Sequence, residues 1–241
     1  MINAHNDDPS LKILHTADLH FLGDTARLNS VEDRFPIIKD AVNKLDVDAV
    51  ILAGDIFDTP HAPPEQVTRL IHDLSQISIP CVLLPGNHDA RIFDQIANEK
   101  TGDNIFLITK EEGETILISS LNLAIWGKPT YDHTPQFRPL EGMPKRPDNK
   151  WYIVVAHGLV YDSPDFEGRS SLIHPEELIE ADCDYIALGH VHAFRDVTKG
   201  KTPAFYSGAP WGSTTTPTVA LISLYPEKPA KVEQITVPIE Q

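Results

Sequence analysis

The feature that most constrains this chain is a punctuation repeated five times: an apolar run stops at residues whose side chains bind metal ions or move protons. Leu11-Lys12-Ile13-Leu14 is followed by Asp18-Leu19-His20, and Ala49-Val50-Ile51-Leu52 by Gly54-Asp55-Ile56-Phe57-Asp58. Ile79-Pro80-Cys81-Val82-Leu83-Leu84 runs into Pro85-Gly86-Asn87-His88-Asp89. Further on, Ile153-Val154-Val155 leads to His157, and Tyr185-Ile186-Ala187-Leu188 to Gly189-His190-Val191-His192. Short apolar runs bounded by Gly and Pro read as buried strands. A single Gly-Asn-His-Asp is as readily a tight turn as a site, because Gly, Asn and Asp are common turn residues. Five such strand ends argue otherwise, since strand carboxyl ends in an open α/β sheet line one crevice and bring together residues remote in sequence.

The segments between these runs support that architecture. Val31, Phe35, Ile38, Val42 and Leu45 recur at helical spacing, so Val31 to Leu45 is expected to form a helix joining two parallel strands. Pro63-Pro64-Glu65 opens a second helix through about Gln76, with Val67, Leu70, Ile71 and Leu74 as its apolar face. From Ile105 the texture changes to strands without intervening helices (105–108, 115–119, 121–126), and Pro175 to Ala181 reads as a short helix. Ala204-Phe205-Tyr206, Val219 to Leu224 and Val232 to Val237 read as further antiparallel strands. The order predicts an α/β protein of two sheets, one parallel and one mixed, with helices outside. With 241 residues, 41% of them hydrophobic, a single domain over 11–241 after a flexible start at 1–10 is expected.

The stretch from Lys128 to Lys150 holds five prolines and reads as a long irregular loop. It is locally basic: Lys128, Arg138, Lys145, Arg146 and Lys150 outnumber Asp132, Glu141 and Asp148. A solvated loop and a substrate-facing loop both fit. The whole chain has the opposite balance, a net charge of −15 from 35 acidic and 20 basic residues. Proteins that grip nucleic-acid phosphates usually carry a basic face, and the chain as a whole lacks that balance. The start lacks a basic segment followed by an apolar one, and no run approaches the ~18 apolar residues of a membrane span, so a cytoplasmic protein is expected. Cys81 and Cys183 suggest neither a disulfide framework nor a thiolate metal site.

Asp, His and Asn side chains give mixed oxygen and nitrogen coordination, which suits Mn, Fe, Zn or Ni better than Ca or Mg. Hydrolysis of a phosphoester at neutral pH needs an activated water and stabilised phosphoryl oxygens, and two ions ~3.5–4 Å apart supply both. A carboxylate is the natural bridge between two cations, and Asp55 is the candidate.

Asp18-x-His20, Gly54-Asp55-x-x-Asp58, Gly86-Asn87-His88-Asp89, His157 and Gly189-His190-x-His192 resemble, in this order, the motifs of calcineurin-like metallophosphoesterases. The resemblance implies a four-layer α/β/β/α sandwich of two mixed sheets flanked by helices, and a hydrolase with two divalent metal ions, Mn first among them. It implies one ion held by Asp18, His20, Asp55 and His192 and a second by Asp55, Asn87, His157 and His190. His88 would then be catalytic, assisting the leaving oxygen, with Asp89 orienting it and Asp58 supporting the ligands from behind. The flanks Leu14-His15-Thr16-Ala17-Asp18, Ala53 to Pro60, Ala187 to His192 and Phe205 to Pro210 resemble the SbcD branch of DNA-repair nucleases. That branch implies phosphodiester hydrolysis on DNA as an exonuclease and an SbcC-like ATPase partner. The partner-docking segment and capping domain of such proteins are expected to be absent from a chain that ends at Gln241. The alternatives are a phosphoesterase of small-molecule or protein phosphoesters and, third, a non-catalytic binding module on the same fold. His5, His61, His72, His133 and His174 fit no motif and read as ordinary histidines; His15 and Trp211 read as packed.

Overall fold

Strand and helix alternate through the first part of the chain in the computed structural model, which describes residues 9–22, 30–96, 102–211 and 216–238, with Asp94 and Gln95 as backbone only. The order is β1 (Leu11–Thr16), α1 (Val31–Leu45), β2 (Ala49–Ala53), α2 (Pro64–Ser75), β3 (Cys81–Leu84), α3 (Ala90–Ile96) and β4 (Ile105–Leu107). α1 has the bounds its apolar spacing predicts. Its start is fixed by Ser30, whose hydroxyl accepts the Asp33 amide while the Asp33 carboxylate accepts the Ser30 amide, so two bare helix-start donors are satisfied. α3 falls where no helix is expected. Of the expected flexible start, residues 1–8 lie outside the described residues, and the Ser10 amide already donates to the Leu224 carbonyl.

The chain then crosses to a second sheet with β5 (Glu114–Ile118), β6 (Leu123–Gly127) and β7 (Trp151–His157). A short parallel pair, β8 (Leu159–Val160) and β9 (Leu172–Ile173), precedes α4 (Pro175–Glu180), β10 (Tyr185–Gly189), β11 (Phe194–Asp196) and β12 (Ala204–Ser207). β13 (Thr218–Tyr225) and β14 (Lys228–Thr236) return to the first sheet. The strand orders are β14-β13-β1-β2-β3-β4 and β11-β12-β10-β7-β6-β5.

Two expectations are corrected here. The first sheet is not purely parallel: β1 to β4 are parallel, but β13 runs antiparallel to β1 and β14 to β13, because the end of the chain comes back as a hairpin onto the free edge of β1. Both sheets are therefore mixed. Ala204-Phe205-Tyr206 is parallel to β10, not antiparallel, because β11 first carries the chain back to the starting end of the sheet.

Period-two alternation sorts the strand residues into layers. Ile13, Ile51 and Val82 point between the sheets and meet Ile125, Ile153, Val155 and Ala187 of the second sheet. Leu14, Val50, Leu52 and Leu83 point the other way, onto Phe35 and Ile38 of α1, Leu70 of α2 and Phe93 of α3. The outer face of the second sheet is covered by Leu178 of α4 and, since α4 has only six residues, by the irregular loop through Leu140. A polar contact crosses the apolar interior: His15 of β1 lies 3.0 Å from the Tyr185 hydroxyl of β10, with both residues buried.

Candidate metal centre and active site

The two sheets come closest where their parallel strands end. The segments after β1 and β2 zip together, with the Asp18 amide donating to the Gly54 carbonyl (3.0 Å) and the His20 amide to the Asp55 carbonyl (2.9 Å). Gly189, at the end of β10, lies so close to β2 that a Cβ there would sit 1.9 Å from the Ala53 carbonyl oxygen. Asp18 (φ 54°), His20 (φ 41°), Asp55 (φ 51°) and His190 (φ 98°) all adopt left-handed backbone conformations, which swing their side chains into the gap. Such conformations are uncommon for residues other than glycine and cluster at functional sites.

All the expected side chains of the metal and catalytic set gather at these strand ends, and their donors fall into groups. Asp18, His20 and His192 place donor atoms within 4.8 Å of one another, and so do Asp55, His157 and His190. The Nε2 atoms of His20 and His192 are 3.1 Å apart. Asp55 lies between the groups, its Oδ2 at 3.2 Å from His157 Nε2, 3.8 Å from His20 Nε2 and 3.9 Å from His88 Nε2.

Polar contacts on the far side of each ring, hydrogen bonds for His157 and His88 and an ion pair for His20, set which nitrogen is presented. His157 Nδ1 faces the Ala53 carbonyl (2.9 Å), a pure acceptor, so Nδ1 carries the hydrogen and Nε2 turns to Asp55. His20 Nδ1 is paired with Asp58 Oδ1 at 2.7 Å, which leaves its Nε2 for the centre. His88 Nδ1 faces the Asp58 carbonyl at 3.0 Å, so its Nε2 is the nitrogen that exchanges a proton. A third group of donors, His20, Asp58 and His88, is also within 4.8 Å. Both ring Nδ1 atoms in it are committed to Asp58, and we read it as an orienting group.

The expected role of Asp89 is corrected. Among the described residues no hydrogen bond or ion pair joins its carboxylate to His88. It is buried and accepts the amides of Ile56 (2.6 Å), Phe57 (3.1 Å) and Gly86 (2.8 Å), tying the turn after β3 to the turn after β2. Asp58 orients His88 instead.

The electrostatics follow from burial and from Asp55. Burial alone would raise the Asp55 carboxyl, but the charge of His157 and the His88 amide hold it well below the usual carboxylate range. Burial would lower His157, yet Asp55 and Asp18 raise it to about 9. Burial pushes Asp18 up to about 7 and pulls His190 down to about 3, and it also lowers His20 and His192. Three imidazoles thus present free lone pairs at neutral pH, and His157 carries a proton.

The residues present fit divalent cations. Asn87 Oδ1 is buried without a hydrogen-bond donor among the described residues, and a buried polar atom normally has a partner. Gly86 keeps this neighbourhood open, because a Cβ there would lie 2.1 Å from Asp55 Oδ1 and 2.5 Å from the Asp55 amide nitrogen. Gly86→Ala is therefore expected to displace Asp55, lowering stability by about 1–3 kcal/mol as overpacking does. Metal binding should be lost with it. Thermal melts and metal analysis of the purified variant check this, and near-normal metal content would show that Asp55 is not confined by Gly86.

The basic loop reaches the site at its beginning, while several of its basic side chains are engaged elsewhere. Arg146 is paired with Asp184 (2.7 Å), Lys128 with Glu141 (3.4 Å), and the Arg138 guanidinium donates to the Pro135 carbonyl (3.2 Å). Lys150 leads directly into Trp151 at the start of β7, whereas His157 stands at its end, about 20 Å away at ~3.3 Å per residue. The beginning of the loop comes near the centre instead. The Thr130 hydroxyl donates to the His157 carbonyl (3.3 Å), and the ring of His133 lies 6.0 Å from that of His190. His133 and His61, expected to be ordinary, border a cleft of about 260 Å³ beside His88, with Tyr131 and Arg91. No periodicity or motif marks these residues; only the Pro-rich interruption after β6 signals a segment with its own task. Trp211, by contrast, packs as expected, its indole N–H donating to the Leu19 carbonyl and its ring 5.3 Å from that of Phe21.

The family model described as calcineurin-like phosphoesterase matches residues 11–194. The SbcD component of the nuclease SbcCD from Bacillus subtilis is 26% identical over 245 residues, covering 83% of this chain and 61% of the relative. A DNA double-strand break repair protein Mre11 from Methanosarcina mazei is 26% identical over 216 residues, covering 84% of this chain and 34% of the relative. The chain thus spans less than two thirds of the length of these relatives. Among solved structures, the phosphoesterase Yfce from E. coli superposes with a TM-score of 0.46 at 12% identity, covering 94% of this chain and all of the other. Because the family match runs from β1 through the last of the histidine motifs, the chain belongs to the calcineurin-like phosphoesterase family, hydrolases acting on phosphoester bonds.

Proposed function

We propose that this chain is a DNA phosphodiesterase of the SbcD type, an exonuclease working with two divalent ions, Mn first among them. The observation that carries the reading is the placement of Asp55 between two groups of donors, with His88 beside them in a third group with His20 and Asp58. In it, Asp18, His20, Asp55 and His192 would hold one ion, and Asp55, Asn87, His157 and His190 the other. Bound there, the ions would supply an activated water and charge stabilisation on the phosphoryl oxygens. His88, held by the Asp58 carbonyl, gives a proton from Nε2 to the departing oxygen. Asp89 keeps the two turns in register through three backbone amides and has no direct part in proton transfer. Residues 11–241 act as one phosphoesterase domain. DNA as substrate and an SbcC-like ATPase as partner draw support from relatives named as nuclease and DNA-repair proteins. A cytoplasmic location accords with two free cysteines and with the absence, among the described residues, of a helix long and apolar enough to cross a membrane.

The test is hydrolysis of bis-p-nitrophenyl phosphate and of single-stranded and end-proximal DNA, with Mn²⁺ and without ATP, before and after chelation. Turnover of both, lost on chelation and restored by Mn²⁺, supports the reading. The net charge of −15 favours a second reading, small phosphoesters; robust turnover of phosphomonoesters with none of DNA would select it.

Metal loading should also depend on pH. His157 is raised to about 9, so at pH 7 it must lose a proton before its Nε2 can bind an ion. Asp18, raised to about 7, adds to the proton release below that pH. Affinity for Mn²⁺ is therefore expected to rise from pH 6 to pH 9. Calorimetry in two buffers of different ionisation enthalpy measures the protons released, and a pH-independent affinity would contradict the assignment of His157.

A further inference from the structure

We propose that the cleft beside His88 is an anion subsite that receives a phosphate on the departing part of the substrate, with Arg91 as its principal contact. This rests on the phosphodiesterase reading above and assigns a role to residues outside the motif set. His88 presents Nε2 to the leaving oxygen, so the fragment that departs lies on the His88 side. That side opens into the cleft of about 260 Å³, whose walls include His61, Asn87, His88, Arg91, Tyr131 and His133.

The composition of this wall is unlike the rest of the molecule. The chain has 35 acidic residues against 20 basic ones, yet among the described residues no carboxylate lines the cleft, while three imidazoles and one guanidinium do. Other arginines are engaged in holding the fold: Arg69 is paired with Asp73, Arg146 with Asp184 and Arg195 with Asp162. None of the ion pairs among the described residues draws Arg91 away. A guanidinium fork matches a phosphate bidentately, and bonds of this kind are the strong ones. Tyr131 adds a flat ring on which a base can stack. His133 is held by Ser171, its Nδ1 at 3.0 Å from the hydroxyl, so the wall it forms is positioned in advance. A leaving group that carries a further phosphate, as in a nucleotide strand, satisfies this cleft; a nitrophenyl group does not.

The experiment uses the full chain with Mn²⁺, as wild type, Arg91→Ala and Arg91→Lys. Substrates are bis-p-nitrophenyl phosphate and dithymidine monophosphate with and without a terminal phosphate, placed at the 5′ or the 3′ end in separate assays. Wild type is expected to show a lower KM for one terminally phosphorylated dinucleotide than for its unphosphorylated form. Arg91→Ala should raise that KM roughly 10- to 100-fold, as loss of a charge-assisted contact does. The loss on bis-p-nitrophenyl phosphate should be several-fold smaller, and Arg91→Lys should recover part of the difference. Equal losses on all substrates, or a wild type indifferent to the terminal phosphate, overturn the subsite. A second arm does not depend on turnover: equilibrium binding of a terminally phosphorylated, methylphosphonate-linked dithymidine, which has no cleavable diester. Binding that weakens in Arg91→Ala upholds the subsite, and no binding by wild type overturns it. Absence of diester hydrolysis by wild type would count against the phosphodiesterase reading alone.

Discussion

Asp55→Asn is expected to abolish hydrolysis. Asp55 Oδ2 lies within 4 Å of the Nε2 atoms of His20, His88 and His157, and its Oδ1 accepts the His88 amide, so one carboxylate holds together groups from several strand ends. Asparagine preserves the shape but offers a neutral oxygen, which would not offset the repulsion between the two dications proposed here. Loss of metal-ion catalysis removes several kcal/mol of transition-state stabilisation, roughly 10³-fold or more in rate. The variant also withdraws the charge that raises His157, so the imidazole should become neutral at pH 7 in the metal-free protein. Steady-state kinetics on bis-p-nitrophenyl phosphate, with metal analysis of the same preparation, are the measurements. Activity within tenfold of wild type with two ions still bound would show that Asp55 is not the bridge.

His88→Ala should separate proton transfer from metal binding. The ring is oriented by the Asp58 carbonyl, its side chain is 40% exposed, and it borders the cleft with its Nε2 3.9 Å from Asp55 Oδ2. Removing a positioned proton donor lowers kcat by ~10²–10⁴-fold, and metal content should stay near that of the wild type. Loss of one metal equivalent would instead make His88 a ligand, acting through the group it forms with His20 and Asp58.

These expectations start from residues that the sequence already exposes, for a physical reason. Buried strands are read as uninterrupted apolar runs, and a polar residue just past such a run must lie at a sheet end. Asp18, His20, Asp55, Asn87, His157, His190 and His192 can therefore be placed from the order of residues alone. The extent of α1 is equally legible from its apolar spacing, and the Ser30 to Asp33 capping box fixes its start where that spacing begins. What stays hidden depends on partners that leave no pattern. Asp89 binds backbone amides, and amides look alike in every sequence. The direction of β12 depends on the path that β11 gives the chain, not on the composition of Ala204-Phe205-Tyr206. α3 buries Ile92, Phe93 and Ile96, but seven residues are too few for a helical period to stand out beside the motif they follow. His133 reaches His190 from an irregular loop, where neither of the two periodicities applies.

The left-handed backbone at Asp18, His20, Asp55 and His190 has an evolutionary consequence. A non-glycine residue in that region costs of order 1–2 kcal/mol, somewhat less for Asp, and glycine at the same position would relieve it. The fold alone would thus be served by glycine where the chain keeps carboxylates and imidazoles. Stability and chemistry pull these positions in opposite directions, so a lineage drifting under selection for folding alone would erase the centre first and retain the sandwich.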